Sequence, residues 1–573
     1  MANRIPAATL DPSGAQAVKD AAYAQVSWPI NLAPSSVSYH SHGDVLIVGN
    51  ELEARRAAQR LRLAGTLGTI SLLINTPTPP DAQLDDAAEI YRATAQLPCH
   101  QARHARVSGY LGAFQVEIDP DDGTPGINLA RACIQRDCFD LLLDLGSPAL
   151  LDLQLPPPGY HAVSTGSEAY EEAIKVLPES IGEFEKPRYF QINHDICAHA
   201  GRGQSGCTRC LEVCPADAVK SVKRRIESWI EIDPHLCHGA GSCTSACPTG
   251  AIQYLLPQPQ RQLDFVARLL GAYRQAGGVT PVVRFCDRAW LDQESMLAAP
   301  HVLDVPLEEL GAAGMEHWLA AIADGAAEVR IQRHAGLPAT LSALIDEQLG
   351  QTRALLVALG HDPRRIVVIG ESDTERDAPA RFNCLTARGD ARGNDFSARK
   401  RDRLNAVIDH LADQGRPSER REPVPSGAPF GGIEVNEAAC TLCMACVAVC
   451  PTPALAGGDD HSPRLSFREA DCVQCGLCDN ACPEDAITLI SGFLADPEQR
   501  NATRVCKEED AFACITCGKP FATASTVASI KAKLADHPYF AGEAMRRLEM
   551  CEDCRVKDVW RDMARNPDAQ LKV

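Results

Sequence analysis

Apolar and polar positions fall into blocks whose periodicity predicts their own elements. Val45–Val48 run apolar into Gly49, which reads as a buried strand and a tight turn. Leu52–Leu63 then space their apolar residues at helical intervals, and 70–75 (ISLLIN) predicts a second strand. This is a β-α-β start, with further strands expected at 113–118 and 141–145. A second α/β pattern follows later. A helical stretch at 264–276 precedes a strand at 281–285, and a helix at 315–324 precedes a strand at 328–331. A long helix over 340–359 ends near Gly360, before a strand at 365–370. Residues 1–42 are polar with scattered Pro and Ser and predict an extension. The charged, Pro-rich stretch from 371 to about 429 predicts a linker with a helix inside it. No apolar run reaches the ~18–20 residues of a spanning helix, so no membrane span is expected.

Composition narrows the class. At roughly 150 residues per domain, 573 residues suggest about four domains. Lys+Arg 56 against Asp+Glu 75 gives a net charge of −19, and aromatics are 5%. That argues against a nucleic-acid binder, which needs excess cations for phosphates and rings for bases. The 25 cysteines are the outlier. The first residues show no basic stretch leading into an apolar one, so a cytoplasmic chain is expected. Thiols there stay reduced and serve as metal ligands.

Their spacing is regular. Cys440, Cys443, Cys446 and Cys450-Pro451 follow C-x₂-C-x₂-C-x₃-C-P, and Cys472, Cys475, Cys478 and Cys482-Pro483 repeat it. Eight soft thiolates in this doubled pattern make a zinc knuckle remote. The stretch resembles the bacterial-type two-cluster ferredoxins. The resemblance implies that the fourth cysteine of each run ligates the other cluster: Cys440, Cys443, Cys446 with Cys482, and Cys472, Cys475, Cys478 with Cys450. An earlier block is a degenerate copy. Cys207, Cys210 and Cys214-Pro215 keep the pattern, with Cys197 upstream across a Gly-rich loop; Cys237, Cys243 and Cys247-Pro248 form the second half. Ala240 stands where a ligand cysteine belongs. The same rule implies one complete set, Cys197, Cys207, Cys210 and Cys247, and one of three thiolates, Cys214, Cys237 and Cys243. The incomplete set predicts a [3Fe-4S] cluster, a [4Fe-4S] cluster with a non-Cys ligand such as His238, or a relic site.

Near the C-terminus, Cys514-x-x-Cys517 and Cys551-x-x-Cys554 predict a Cys₄ zinc site fastening a small helical tail, with Cys506 as an alternate ligand. Cys99, Cys133, Cys138, Cys286 and Cys384 default to buried packing. The basic runs Lys220, Lys223, Arg224, Arg225 and Arg399, Lys400, Arg401, Arg403 read as solvated faces, with docking to an acidic redox partner as the alternative.

The expected fold is multidomain α/β plus α+β. Its parts are an extension (1–42), a Rossmann-like α/β domain (43–184), a dicluster module (185–256), a second α/β domain (260–375), a charged linker (376–429), a second dicluster module (430–492) and a zinc-ribbon-like helical tail (500–573). Gly49 supplies one glycine where a dinucleotide fingerprint needs three, so no nucleotide is expected. The insert at 280–372 resembles the delta subunit of methyl-viologen-reducing hydrogenases through the strand ending at Cys286, Trp318-Leu-Ala-Ala-Ile and Leu359-Gly-His-Asp-Pro-Arg-Arg-Ile366. Cys286 and Cys384 are too few for that family's two-iron cluster. The whole resembles large ferredoxin-type proteins found alongside formate dehydrogenases. It implies an electron carrier with three [4Fe-4S] clusters, a fourth altered cluster, one zinc and a redox protein partner such as a formate dehydrogenase. The alternatives are a redox-sensing or maturation factor and a flavin- or nicotinamide-linked oxidoreductase subunit.

Overall fold

The computed structural model describes residues 12–29, 35–78, 87–119, 126–199, 206–225, 227–290, 299–389, 399–459 and 461–565. The first α/β domain is built on five parallel strands in the order Cys99–Gln101, Ile70–Thr76, Val45–Asn50, Leu141–Asp144, Tyr160–Ala162. The order runs outward both ways from Val45–Asn50, a doubly wound arrangement. The helix Glu51–Ala64 lays Ala54, Ala57, Ala58 and Leu61 on Val45, Ile47 and Leu72. Phe114, Phe139 and Leu129 cover Leu46, Val48 and Leu73 on the opposite face. Buried on both faces, these strands read as continuous apolar runs. The strand expected at 113–118 forms over Gln115–Ile118, but in a separate antiparallel sheet with Ala105–Ser108 and Ile127–Asn128.

Gly49 has a packing role. At φ +152° it lies so close to Leu145 that a Cβ would sit 2.9 Å from the Leu145 Cβ. The helix after it is already capped: the Asn50 side chain accepts from the Leu52 N–H at 3.1 Å, and Glu51 accepts from the Thr78 N–H. Glu51 and Glu53 fill the first turn with negative charge, where a phosphate would need positive potential.

The second α/β domain has four parallel strands in the order Val302–Leu307, Val282–Asp287, Glu328–Gln332, Ile366–Ile369. Helices Pro259–Gln275, Met315–Ala323 and Ala339–Ala358 pack around it. Two segments expected outside this domain belong to its core. Helix Lys400–Gln414, inside the stretch expected as a linker, buries Leu404, Val407, Ile408, Leu411 and Ala412 there. The described parts of the extension 1–42 are likewise engaged. Ala22 of its helix Pro12–Gln25 and Val26 just after it are buried in the same core, and the Tyr23 hydroxyl donates to the Asp304 carbonyl at 2.8 Å. Its strand Ser36–Ser41 pairs antiparallel with Gly182–Pro187. Charge and proline content concealed the apolar stripes of both helices.

The two cysteine-rich modules share one plan. In the first, Phe190–Ile192 pairs with Ile252–Tyr254, and Val219–Arg224 with Glu227–Ile232. In the second, Gly431–Val435 pairs with Ile487–Ser491, and Leu455–Asp459 with Ser462–Arg468. There the tail adds an edge strand, Thr503–Glu508, to the inner hairpin. The tail continues as a hairpin, Ala511–Ala513 with Pro520–Thr523, and then the helices Ala524–Leu534 and Glu552–Arg565. It is therefore part strand, not wholly helical. Among the described residues no helix is long and apolar enough to cross a membrane.

The docking of the first helix is testable. Ala22 is fully buried. Ala22→Asp places an unpartnered carboxylate in an apolar core and should destabilise the second α/β domain by about 3 kcal/mol. Thermal unfolding read by circular dichroism should show a lowered transition, whereas Lys175→Ala on an exposed helix face should leave it in place.

Candidate iron–sulfur and metal sites

The second module brings its eight cysteines into two groups. One cavity is lined by Cys440, Cys443, Cys446 and Cys482, the other by Cys450, Cys472, Cys475 and Cys478. Left-handed residues wrap each loop: Leu442 and Met444 in one (φ +55° and +61°), Gln474 and Gly476 in the other (φ +54° and +80°). These turns aim successive thiols at one point and direct backbone N–H groups at sulfur. Cys440 receives the Leu442 N–H, Cys472 that of Gln474 and Cys475 that of Leu477. The Ala486 N–H reaches the Cys482 Sγ at 3.2 Å. Burial pushes the Cys446 and Cys475 thiols up to about 12, and neighbouring thiols add to it. So many sulfurs cannot ionise together in an apolar pocket unless cationic metal neutralises them. The donor set thus fits an iron–sulfur group.

The first module repeats this grouping. The Cys210 thiol is raised to about 12 by burial and by Cys247, Cys207 and Cys197. Cys243 is raised by burial and then by Cys237 and Cys214. Residues 200–205, within the Gly-rich loop after Cys197, lie outside the described residues. At Ala240 the backbone keeps the cluster-wrapping form: Gly239 and Gly241 adopt φ +84° and +76°, matching the pair in the other loops, and the Gly239 N–H still points at Cys237. The turn Leu310–Ala312 of the second α/β domain packs on the backbone of this loop. A Cβ on Gly311 would overlap the Ala240 carbonyl. His238 is held neutral by burial and by Lys186, with one ring nitrogen bonded to the Pro156 carbonyl; its Nε2 is buried without a hydrogen-bond partner.

The four thiol groups lie in sequence through the molecule. Cys243 of the three-thiol group neighbours Cys210 and Cys247. Cys207 neighbours Cys475 across the boundary between modules, where Gly206 packs against the Leu477 side chain. Cys478 in turn neighbours Cys446. At the far end Cys443 is exposed.

The tail cysteines are organised differently. Cys514, Cys517, Cys551 and Cys554 place their sulfurs within 4.8 Å of one another, with Cys517 and Cys551 at 3.7 Å. A tetrahedron of sulfurs about 2.3 Å from one ion has edges of about 3.8 Å. The group therefore suits a single metal ion and is too tight for a cubane. Burial opposes ionisation of Cys514, but the N–H groups of Cys551, Cys517 and Thr516 outweigh it and bring the thiol down to about 6. Cys506, expected near this group, instead lies buried beside Cys440 in the second module. The edge strand that carries it turns it inward. Cys286 is buried as expected, whereas Cys99 is exposed against Arg55. The basic runs also diverge. Lys220, Lys223, Arg224 and Arg225 are exposed on their hairpin, but Arg401 is buried and Lys400 reaches the Thr244 and Ser245 carbonyls, both at 3.0 Å.

Comparison with known proteins agrees with this geometry. The 4Fe-4S dicluster domain matches twice, at residues 205–251 and 439–486. An uncharacterized ferredoxin from Methanocaldococcus jannaschii is 32% identical over 57 residues, covering 10% of this chain and 74% of the relative. Through these segments the chain belongs to the ferredoxins, and electron transfer is the function its dicluster domains imply. The first match begins at 205, so Cys197 lies outside it.

Replacing Cys514 and Cys551 with Ser should release one metal ion per chain and loosen the tail. Iron content should stay level. Elemental analysis with limited proteolysis checks both; a loss of about four irons would make the tail a cluster site.

Proposed function

We propose that the protein is a one-electron relay whose wire crosses both ferredoxin modules. The proximity of Cys207 and Cys475 carries this reading, because it joins two dicluster domains into one path. Cys197, Cys207, Cys210 and Cys247 would hold one [4Fe-4S] cluster; Cys450, Cys472, Cys475 and Cys478 a second; Cys440, Cys443, Cys446 and Cys482 a third. Cys214, Cys237 and Cys243 would hold the altered fourth. When bound, such clusters each take up and return one electron at a potential set by charge, sulfur hydrogen bonds and burial. The protein's residues supply those settings: N–H donors aimed at sulfur, apolar walls such as Leu465, Phe467 and Ile487, and the fixed spacing of the two modules. Cys514, Cys517, Cys551 and Cys554 would hold zinc in a structural role.

The two ends of the path differ. Exposed Cys443 offers a terminus to a redox protein, while Ala240 lies under the second α/β domain. A formate dehydrogenase as that protein rests on the resemblance to ferredoxin-type proteins found beside such enzymes. The capped, acidic start of helix Glu51–Ala64 disfavours the nucleotide-linked alternative.

Anaerobically reconstituted protein should contain about 15–16 irons per chain and pass through repeated reduction and reoxidation without losing them. Eight or fewer irons would refute loading of both modules. Mild oxidation should give a three-iron electron paramagnetic resonance signal that Ala240→Cys abolishes. A signal that survives in that variant would place the three-iron species elsewhere.

A further inference from the structure

Three of the four thiol groups share an arrangement that dicluster spacing alone does not supply. In each, a cation from outside the module's cysteine loops donates to the main-chain carbonyl of the group's leading cysteine. Arg401, on the helix of the second α/β domain, donates through Nη2 to the Cys472 carbonyl at 2.7 Å; its Nε and Nη1 reach the carbonyls of Ala470 (2.8 Å) and Pro429 (3.1 Å). Lys186, on the strand paired with the N-terminal segment, donates to the Cys237 carbonyl at 2.9 Å and the His235 carbonyl at 2.8 Å. Lys507, on the edge strand supplied by the tail, donates to the carbonyls of Cys440 and Glu437.

Arg401 is the most committed of the three. It is 4% exposed and stacks over the Phe430 ring at 4.7 Å. The nearby carboxylates have other partners: Glu469 pairs with Arg421 at 2.6 Å, and Asp471 with Arg468 at 3.2 Å. A guanidinium stays protonated in proteins, so Arg401 is a fixed positive charge. A buried charge of this kind is retained at considerable desolvation cost; the three carbonyl dipoles meet it directly, and Asp471 and Glu469 add attraction without bonding to it. Reduction adds one negative charge to a cluster, so a fixed cation beside it favours the reduced form and raises its potential.

We propose that Lys186, Arg401 and Lys507 are potential-setting residues, each contributed by a different flanking unit to one cluster of the wire. This rests on the relay reading above. The flanking α/β domain, the N-terminal strand pair and the tail thereby become part of the redox apparatus: a shift of any of them relative to its module would retune one cluster and leave the others alone.

The test is potentiometric titration of the anaerobically loaded full-length protein, followed by electron paramagnetic resonance. In Arg401→Gln, one cluster should bind its electron at least tenfold more weakly, a drop of about 59 mV for a one-electron couple. The remaining clusters should hold their potentials, and Arg401→Lys should restore most of the loss. Unchanged potentials in a fully loaded variant, or an equal shift in every cluster, would overturn the proposal. Should Arg401→Gln fail to hold its cluster, Lys507→Gln decides, with the same single-cluster drop expected and an unchanged titration counting against the idea. Wild-type protein that loads iron but shows no reversible signals would instead refute the relay itself.

Discussion

Crowded thiols are the constraint around which this molecule is organised. Seven cysteines in the first module and eight in the second, all buried or half-buried except Cys443, lie where an ordinary small domain would place its apolar core. A module of roughly 60 residues has little core to spare. Without metal, burial and mutual repulsion keep these sulfurs protonated; an iron–sulfur group would relieve both and close each loop. Metal loading and the final packing of each module are therefore the same event, as in other small metal domains. The left-handed residues between the cysteines belong to the same logic, since they prepare the loop in advance and lower the conformational cost of closing it.

Several described segments outside the modules bond to them directly. The helix Lys400–Gln414 buries one face in the second α/β domain, and from its first turn Lys400 and Arg401 reach into opposite modules. Arg209 of the first module bonds the Gly427 carbonyl, on the segment leading into the second. Thr523, Ser525 and Thr526 of the tail converge on the Thr441 carbonyl, beside exposed Cys443. Electron transfer falls steeply with distance, so the proposed relay would need rigid joints between its modules. The sheets and helices between the cysteine blocks supply that rigidity.

Cysteine spacing made the dicluster pattern readable because each ligand is bound to its loop by local geometry, two or three residues at a time. The paired groups and the gap at Ala240 needed no tertiary information. The parallel strands were also legible, since burial on both faces leaves a run such as VLIV or ISLLIN with no polar residue to confuse the period. Arg401 was not legible. A run of four basic residues reads as a solvated surface, and only the fold shows that Ala470, Pro429 and Cys472 turn their carbonyls toward it. Helix Pro12–Gln25 was not legible for a related reason: among its described residues only Ala22 is fully buried, and Val18 and Tyr23 only partly bury, which leaves a weak apolar signal. Cys506 was misplaced because strand pairing, not chain proximity to Cys514, decides where it points.

The packing of Leu310–Ala312 on the Ala240 loop has a consequence for how the protein is made. A ribosome completes residues 190–254 before it begins the turn Leu310–Ala312, and the helix that carries Arg401 emerges later still. The first module is thus complete in sequence before the turn that packs on its Ala240 loop exists. The second module meets its neighbouring α/β domain already made, but its Cys440 loop in turn precedes the tail residues Lys507 and Thr523 that bond to it. Each module is therefore synthesised before one of the units that packs against its cysteine loops.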